Sequence, residues 1–308
     1  MSRICVYREE DGCWKSQPLE MARVERNIQN LVENNMQEFF GVRLLQSEWD
    51  IGWGRMDSIG IDENNRPVIF KFKKNQDSGV ILQGLSYLDW LLDHKDAFKS
   101  LVHEKLGQDY CIDDCSDPVV YCVAYEFSKF DTKALNQIGK NIQLIKYKLL
   151  NNDMIVFEFV DELNGITKNS KQSFGCSSNE EYITHELDNH GTECDCKRIL
   201  KKIDNLPQET RNLYNIVCDI IEQFNLERNI TINYIAYKNI KNVVCLSADK
   251  KHVYVYPKLE IENDRLNDYI EDVSSINGEP GRFRITITDE TQIEQVRDII
   301  ERACSQSI

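Results

Sequence analysis

The sequence predicts an α/β (α+β) protein in which helices flank a mixed sheet, followed by a second, smaller α+β domain. Three observations support this class. A long amphipathic helix precedes three strand-like runs, a turn-rich segment joins two of those runs, and helices then alternate with further strands. The length of 308 residues suggests two domains rather than one.

The first elements follow from apolar spacing and turn signals. Residues 4–7 form a short strand-like run, and apolar residues at helical spacing then predict a helix over 18–40, which Gly41 ends. Three strands are expected over 42–49, 55–61 and 67–73. The turn formers of DENNRP separate the last two strands and predict a hairpin.

The remaining elements alternate in type. The sequence predicts a helix over 78–103, a buried strand over 118–126, a helix over 131–140, and strands over 142–148 and 153–160. The later part predicts a helix over 207–224, strands over 230–237, 242–247, 252–260 and 281–287, and a final helix over 289–304.

Domain boundaries follow from a change of composition. The segment 164–197 is poor in apolar residues and rich in Ser, Asn, Gly and Glu, which is typical of a linker. We therefore expect a first domain over 1–160, a polar linker over 161–205 and a second domain over 206–308.

Charge and cysteine usage limit the partners and the compartment. A net charge of −14 argues against a general binder of phosphate backbones, so any nucleic-acid contact must come from a local basic patch. The sequence has no run of 18 apolar residues and no secretory leader pattern at its start. Its 11 cysteines lack framework spacing, so we expect reduced thiols and a cytoplasmic protein that does not enter a membrane.

The hairpin carries the residue types that phosphodiester cleavage needs. Such chemistry uses hard oxygen ligands for Mg²⁺ or Mn²⁺ and a cation near the scissile phosphate. Asp57 lies on the first strand of the hairpin, while Lys71 and Lys73 share one face of the second, opposite Phe70 and Phe72.

These residues resemble a known family. The segments GWGRMDSIGIDENNRPVIFKFKK and VILQGLSYLDWLLDH resemble the PD-(D/E)XK nuclease superfamily, in particular the branch of the endonuclease NucS, also called EndoMS. The resemblance covers roughly residues 20–125 and implies a restriction-endonuclease-like fold. The later part, from LYNIVCDII to the final helix, resembles a small bacterial domain without known chemistry that accompanies such nuclease domains.

The resemblance implies roles for individual residues. Asp57 matches the metal-binding aspartate and Lys73 the catalytic lysine. Gln83 and Tyr87 match a Q-x-x-x-Y element that contacts DNA or supports the site. Glu25 matches an acid that many members direct toward the metal, and Arg55 matches a basic residue before the aspartate. Apart from these matches, a binding function would use a small basic patch formed by Arg55, Lys71, Lys73 and Lys74.

Lys71 departs from the family pattern, because the family has glutamate or aspartate there. An ammonium supplies no metal ligand, and unit charges about 4 Å apart interact by about 4 kcal/mol at an effective dielectric near 20. Three explanations stay open: a natural relative that binds without cleaving, an inactivated variant, or an enzyme in which Glu25, or less well Asp77, replaces the missing acid.

Each pattern also has a plain structural interpretation. Asp57 facing two lysines is typical of an ion pair on an exposed sheet face, and Gln83 with Tyr87 is typical of helix packing. A zinc site at His185, His190, Cys194 and Cys196 is disfavoured, because the spacing departs from standard fingers.

Three functions remain from the sequence. The first is a nucleic-acid-binding protein with a degenerate endonuclease-like domain. The second is an active DNA endonuclease dependent on Mg²⁺ or Mn²⁺ that uses Glu25, and the third is a protein-interaction module. DNA is the expected partner for the first two functions, and RNA binding and a homodimer are left open.

Overall fold

The computed structural model describes residues 6–10, 13–17, 25–73, 79–108, 110, 118–138, 141–150, 154–160, 197–262, 266–276 and 278–305. These residues fall into two compact units, the first reaching Val160 and the second beginning at Lys197. Each unit combines a six-stranded sheet with helices, which confirms the predicted α+β class.

The first unit contains a mixed sheet. Its elements are β1 (Val6–Glu10), β2 (Cys13–Gln17), α1 (Glu25–Phe40), β3 (Val42–Asp50), β4 (Arg55–Asp62), β5 (Pro67–Lys73), α2 (Val80–Asp93), α3 (Lys95–Leu106), β6 (Val119–Ala124), α4 (Lys129–Ile138), β7 (Ile142–Leu150) and β8 (Met154–Val160). The sheet order is β3-β4-β5-β6-β7-β8. The pairs β5–β6 and β6–β7 are parallel and the other pairs antiparallel, while β1 and β2 form a separate hairpin.

Alternation along β5 assigns its residues to two different layers. Phe70 and Phe72 point to the face covered by α1, where the rings of Phe40 and Phe70 lie 5.3 Å apart. Ile69 joins the core on the opposite face, under α2 and α3. Gly84 allows α2 to approach this face closely, because a Cβ there would lie 3.0 Å from a methyl carbon of Val120. Asp57, Lys71 and Lys73 therefore lie on the α2 side of the sheet.

The expectation of one helix over 78–103 is wrong. The structure has two helices, α2 and α3, which meet at His94, where φ is −123° and ψ is 42°. The backbone N–H of His94 donates to the Leu91 carbonyl, so the last turn of α2 closes early. The apolar periodicity continues through the break without proline or glycine, so the break could not be predicted from the sequence.

The second unit has an antiparallel sheet. Its elements are α5 (Lys197–Asp204), α6 (Gln208–Glu222), β9 (Glu227–Ile230), β10 (Ile235–Lys238), β11 (Asn242–Ala248), β12 (Val253–Pro257), β13 (Ile270–Asp272), β14 (Phe283–Ile287) and α7 (Glu290–Ser305). The strand order is β13-β14-β12-β11-β10-β9. The strand expected over 230–237 is in fact two strands, because the chain reverses where the Thr231 hydroxyl donates to the Tyr234 carbonyl at 2.7 Å.

Helix α5 lies within the segment assigned to a linker, and the domain boundaries themselves stay predictions. Among the described residues, no helix is long and apolar enough to cross a bilayer.

Candidate functional site

Asp57 and Lys71 form a buried ion pair at the centre of the β4–β5 hairpin. The Lys71 Nζ donates to Asp57 Oδ1 at 2.6 Å, and the two side chains are only 8% and 13% exposed. Ser58 and Phe70 are paired in register across the two strands. Asp57, which precedes Ser58, therefore lies opposite Lys71, which follows Phe70, and both side chains point to the other face of the sheet. The plain structural interpretation is therefore right about the ion pair but wrong about its exposure.

The second carboxylate oxygen of Asp57 also accepts a hydrogen bond. Its Oδ2 accepts the backbone N–H of Phe72 at 2.8 Å. The backbone carbonyl of Asp57 accepts Gln29 Nε2 from α1 at 3.0 Å, so the residue is held from both sides of the sheet. Both carboxylate oxygens thus have close donors.

This arrangement does not fit a divalent metal. A metal site would need a second acid near Asp57, whereas an ammonium lies where that acid is expected and its positive charge would repel the metal. No group of three or more His, Cys, Asp and Glu suited to a metal occurs among the described residues. The Lys71 ammonium supplies the positive charge that neutralises Asp57 in this geometry.

Cys122 on β6 pairs in register with Lys71 and adds no reactive group. Burial raises the pKa of the Cys122 thiol to about 12, with a further increase from Asp131 and a decrease from Lys71. The thiol therefore stays protonated at neutral pH and is a poor nucleophile or metal ligand.

A network of polar side chains connects α1 to the face of β3 and β4 that α1 covers. Glu33 Oε1 accepts Ser58 Oγ at 2.6 Å, Ser47 Oγ at 2.8 Å and Gln29 Nε2 at 2.9 Å. Because Gln29 also holds the Asp57 carbonyl, the network ties α1 to the backbone of the ion pair. Sequence analysis missed Gln29 and Glu33, since the strand residues that they contact are 14 to 28 residues away in the chain.

Replacing Glu33 by alanine is expected to destabilise the first unit by about 2 to 3 kcal/mol, because the buried Ser58 hydroxyl loses its acceptor. Urea unfolding followed by tryptophan fluorescence measures this loss. All four tryptophans precede residue 91, so the signal reports on the first unit alone. Gln37→Ala, at an exposed position of the same helix, is the control, and an equal effect of both changes would contradict a supporting role for Glu33.

A second charged cluster lies at the start of β4. Glu48 Oε2 accepts Arg55 Nε at 2.9 Å and Glu48 Oε1 accepts a guanidinium nitrogen of Arg26 at 2.7 Å. Glu48 has a φ of 52°, an uncommon left-handed conformation for glutamate. The Arg55 side chain is 64% exposed, so it remains accessible beside the hairpin despite its ion pair.

The Q-x-x-x-Y element divides into two different environments. Tyr87 is buried, and its hydroxyl donates to the Arg55 carbonyl at 2.8 Å. Its ring lies 6.0 Å from Lys71 Nζ and stacks against Trp53. Gln83 is exposed. Tyr87 therefore positions the start of β4, while Gln83 is available at the surface.

The structure describes only some of the other candidate residues. Lys73 is half-buried on the same face as Lys71, and Glu25 begins α1. Their roles stay predictions. Lys74, Asp77 and the possible zinc ligands His185, His190, Cys194 and Cys196 lie outside the described residues.

Two further lysines extend this face of the sheet. Lys146 is in register with Ala124, which is in turn in register with Lys73. Lys146 pairs with Glu126 at 2.9 Å, and Lys148 donates to the Tyr125 carbonyl at 2.8 Å. Burial lowers the pKa of Lys148, and the Glu126 carboxylate opposes that change. The two side chains are only 17% and 11% exposed, compared with 64% for Arg55, so they offer little surface to a ligand.

Comparisons with known proteins gave a relative that matches along almost all of both chains and two distantly similar solved structures. No protein-family model matches the chain. It is 26% identical to an "Uncharacterized protein" of Haemophilus influenzae over 308 residues, covering 97% of this chain and 98% of the relative.

Two solved structures match smaller parts. A repair endonuclease from Pyrococcus abyssi matches with 20% identity and a TM-score of 0.30, over 41% of this chain and 48% of that one. An EndoMS–double-stranded DNA complex matches with 18% identity and a TM-score of 0.29, over 45% and 49%. Each match spans about half the length of the solved chain.

Proposed function

We propose that the first unit is a nuclease-like domain that binds nucleic acid, with DNA as the main partner, and that has lost metal-dependent cleavage. The observation that carries this proposal is the buried 2.6 Å pair between Lys71 and Asp57, in a hairpin of the type expected for a nuclease. An internal ammonium neutralises Asp57 without a metal, so the scaffold keeps its charge balance but lacks the ligands for hydrolysis.

Two cations beside the pair are the candidate phosphate contacts. Arg55 has an exposed guanidinium, and Lys73 follows Lys71 on the same face of β5. Phosphate oxygens are good bidentate acceptors for arginine and bind lysine as a point charge. The interface would be small, which agrees with a chain whose net charge is −14.

Fluorescence anisotropy with branched, mismatched and single-stranded DNA, and with RNA, tests this proposal. We expect binding that persists in EDTA. The logarithm of the binding constant should fall linearly with the logarithm of the salt concentration, with a slope of about −0.9 per phosphate contact on duplex DNA. Arg55→Gln and Lys73→Gln should each reduce that slope by about one contact. Lys251→Gln, an exposed lysine of the second unit, is the matched control.

Absence of binding to every probe would contradict the proposal, as would binding that does not depend on salt. Nicking of these substrates with Mn²⁺ would contradict the loss of cleavage. If Glu25→Gln then abolished the nicking, the alternative of an active endonuclease with Glu25 as the substitute acid would be supported.

A further inference from the structure

A cleft on the outer side of α2 combines aromatic rings with acidic side chains. Its volume is about 400 Å³, and it is lined by Trp53, Ser86, Asp89, Trp90, Asp93 and His94. Five of these residues follow one face of α2 and its end at helical spacing, whereas Trp53 comes from the turn between β3 and β4. The cleft is open to solvent, and neither Asp57 nor Lys71 lines it.

The aromatic walls are held in place by other rings. The Trp90 and His94 rings are stacked with centroids 4.4 Å apart and planes 7° apart, and Trp49 packs edge-on against Trp90 at 5.3 Å. Trp53 stacks on Tyr87 at 6.0 Å but is still 61% exposed. A large indole that is supported on one side and exposed on the other offers a face for a ligand.

The two carboxylates give the cleft a negative charge. Asp89 and Asp93 lie one turn apart near the end of α2, and both are exposed. The last turn of α2 has no basic residue, and no ion pair engages either aspartate within the part of the chain that the structure describes. Two unpaired carboxylates beside indole faces favour a cation and disfavour a phosphate.

We propose that this cleft binds the guanidinium group of an arginine side chain presented by a partner protein. A guanidinium is planar, so it stacks on an indole while its N–H groups donate to carboxylates. The volume is more than the guanidinium head needs and leaves room for the arginine stem. A chain with a net charge of −14 also attracts a basic partner. This inference does not depend on nucleic-acid binding.

Tryptophan fluorescence of the full chain tests the proposal, because all four tryptophans lie in the first unit. The probe is a glycine–arginine–glycine peptide, compared with the same peptide carrying citrulline, which has the shape of arginine without its charge. We expect the citrulline peptide to bind about tenfold more weakly or worse. Free arginine should bind more weakly than the peptide.

Variants locate the binding to the cleft. The double change Asp89→Asn with Asp93→Asn, and separately Trp53→Ala, should each weaken peptide binding about tenfold. Asp96→Asn is the matched control, since its side chain is fully exposed on α3 outside the cleft. The three aspartates are exposed, so we expect unchanged melting temperatures for the aspartate variants.

Four results would overturn the proposal: no binding of the arginine peptide, equal binding of the citrulline peptide, full binding by the Asp89/Asp93 double variant, or free arginine binding as tightly as the peptide. Deoxyguanosine and deoxyadenosine monophosphates are titrated in parallel. Tighter binding of either nucleotide would also overturn it, because the cleft would then be a pocket for a nucleobase.

Discussion

Replacing Asp57 by asparagine is expected to destabilise the first unit by about 3 to 5 kcal/mol, because the buried Lys71 ammonium loses the carboxylate that it contacts at 2.6 Å. An asparagine can accept the Phe72 N–H with its oxygen, but its amide nitrogen then faces the ammonium. The cost therefore comes mainly from an uncompensated buried charge rather than from lost packing.

Urea unfolding followed by tryptophan fluorescence measures this effect in the first unit, since the second unit contains no tryptophan. The matched comparison removes both charges, with Asp57→Leu and Lys71→Met together. Replacing a buried pair by apolar side chains of similar size is often neutral, so the double variant should recover most of the loss. A double variant as unstable as Asp57→Asn would show that the ion pair does not account for the effect.

Replacing Lys71 by glutamate is also expected to destabilise the first unit strongly, and the size of this loss depends on whether metal is present. Without metal, the attraction to Asp57 becomes a repulsion between two close carboxylates, and unit charges about 4 Å apart contribute about 4 kcal/mol at an effective dielectric near 20. Two such carboxylates resist simultaneous ionisation, so the variant should become more stable as the pH falls from neutral.

With Mn²⁺, the same variant should regain stability, because Asp57 and the introduced glutamate are hard oxygen ligands on facing strands. A free Mn²⁺ concentration 100 times the dissociation constant would contribute about 2.7 kcal/mol. Thermal melting of the variant with Mn²⁺ or EDTA measures this difference. Lys73→Glu on the same strand is the control, and an equal shift in both variants would contradict a specific role for position 71.

The sequence allowed the hairpin and its facing residues to be predicted because both follow from local rules. The turn residues of DENNRP and the alternation of Phe70, Lys71, Phe72 and Lys73 depend only on neighbours in the chain. The resemblance to nucleases then directed attention to Asp57 and to the anomaly at Lys71. The ion pair that the structure contains joins these two positions.

The burial of the Asp57–Lys71 pair and its long-range partners could not be predicted from local sequence patterns. Whether the pair is exposed depends on α2 and α3, which cover this face of the sheet, and on Gln29, which reaches the Asp57 carbonyl from a distant helix. The acidic aromatic cleft was missed for a similar reason. Trp53 and Trp90 are 37 residues apart in the sequence, and only the fold brings them to one cavity.

Calorimetric titration of Mn²⁺ into the unmodified protein tests the central claim most directly, namely that the Lys71 ammonium neutralises Asp57 in place of a metal. We predict no stoichiometric binding to the unmodified protein and one bound Mn²⁺ in the Lys71→Glu variant. One bound Mn²⁺ in the unmodified protein that is lost in Glu25→Gln would contradict the claim and would identify Glu25 as the substitute ligand.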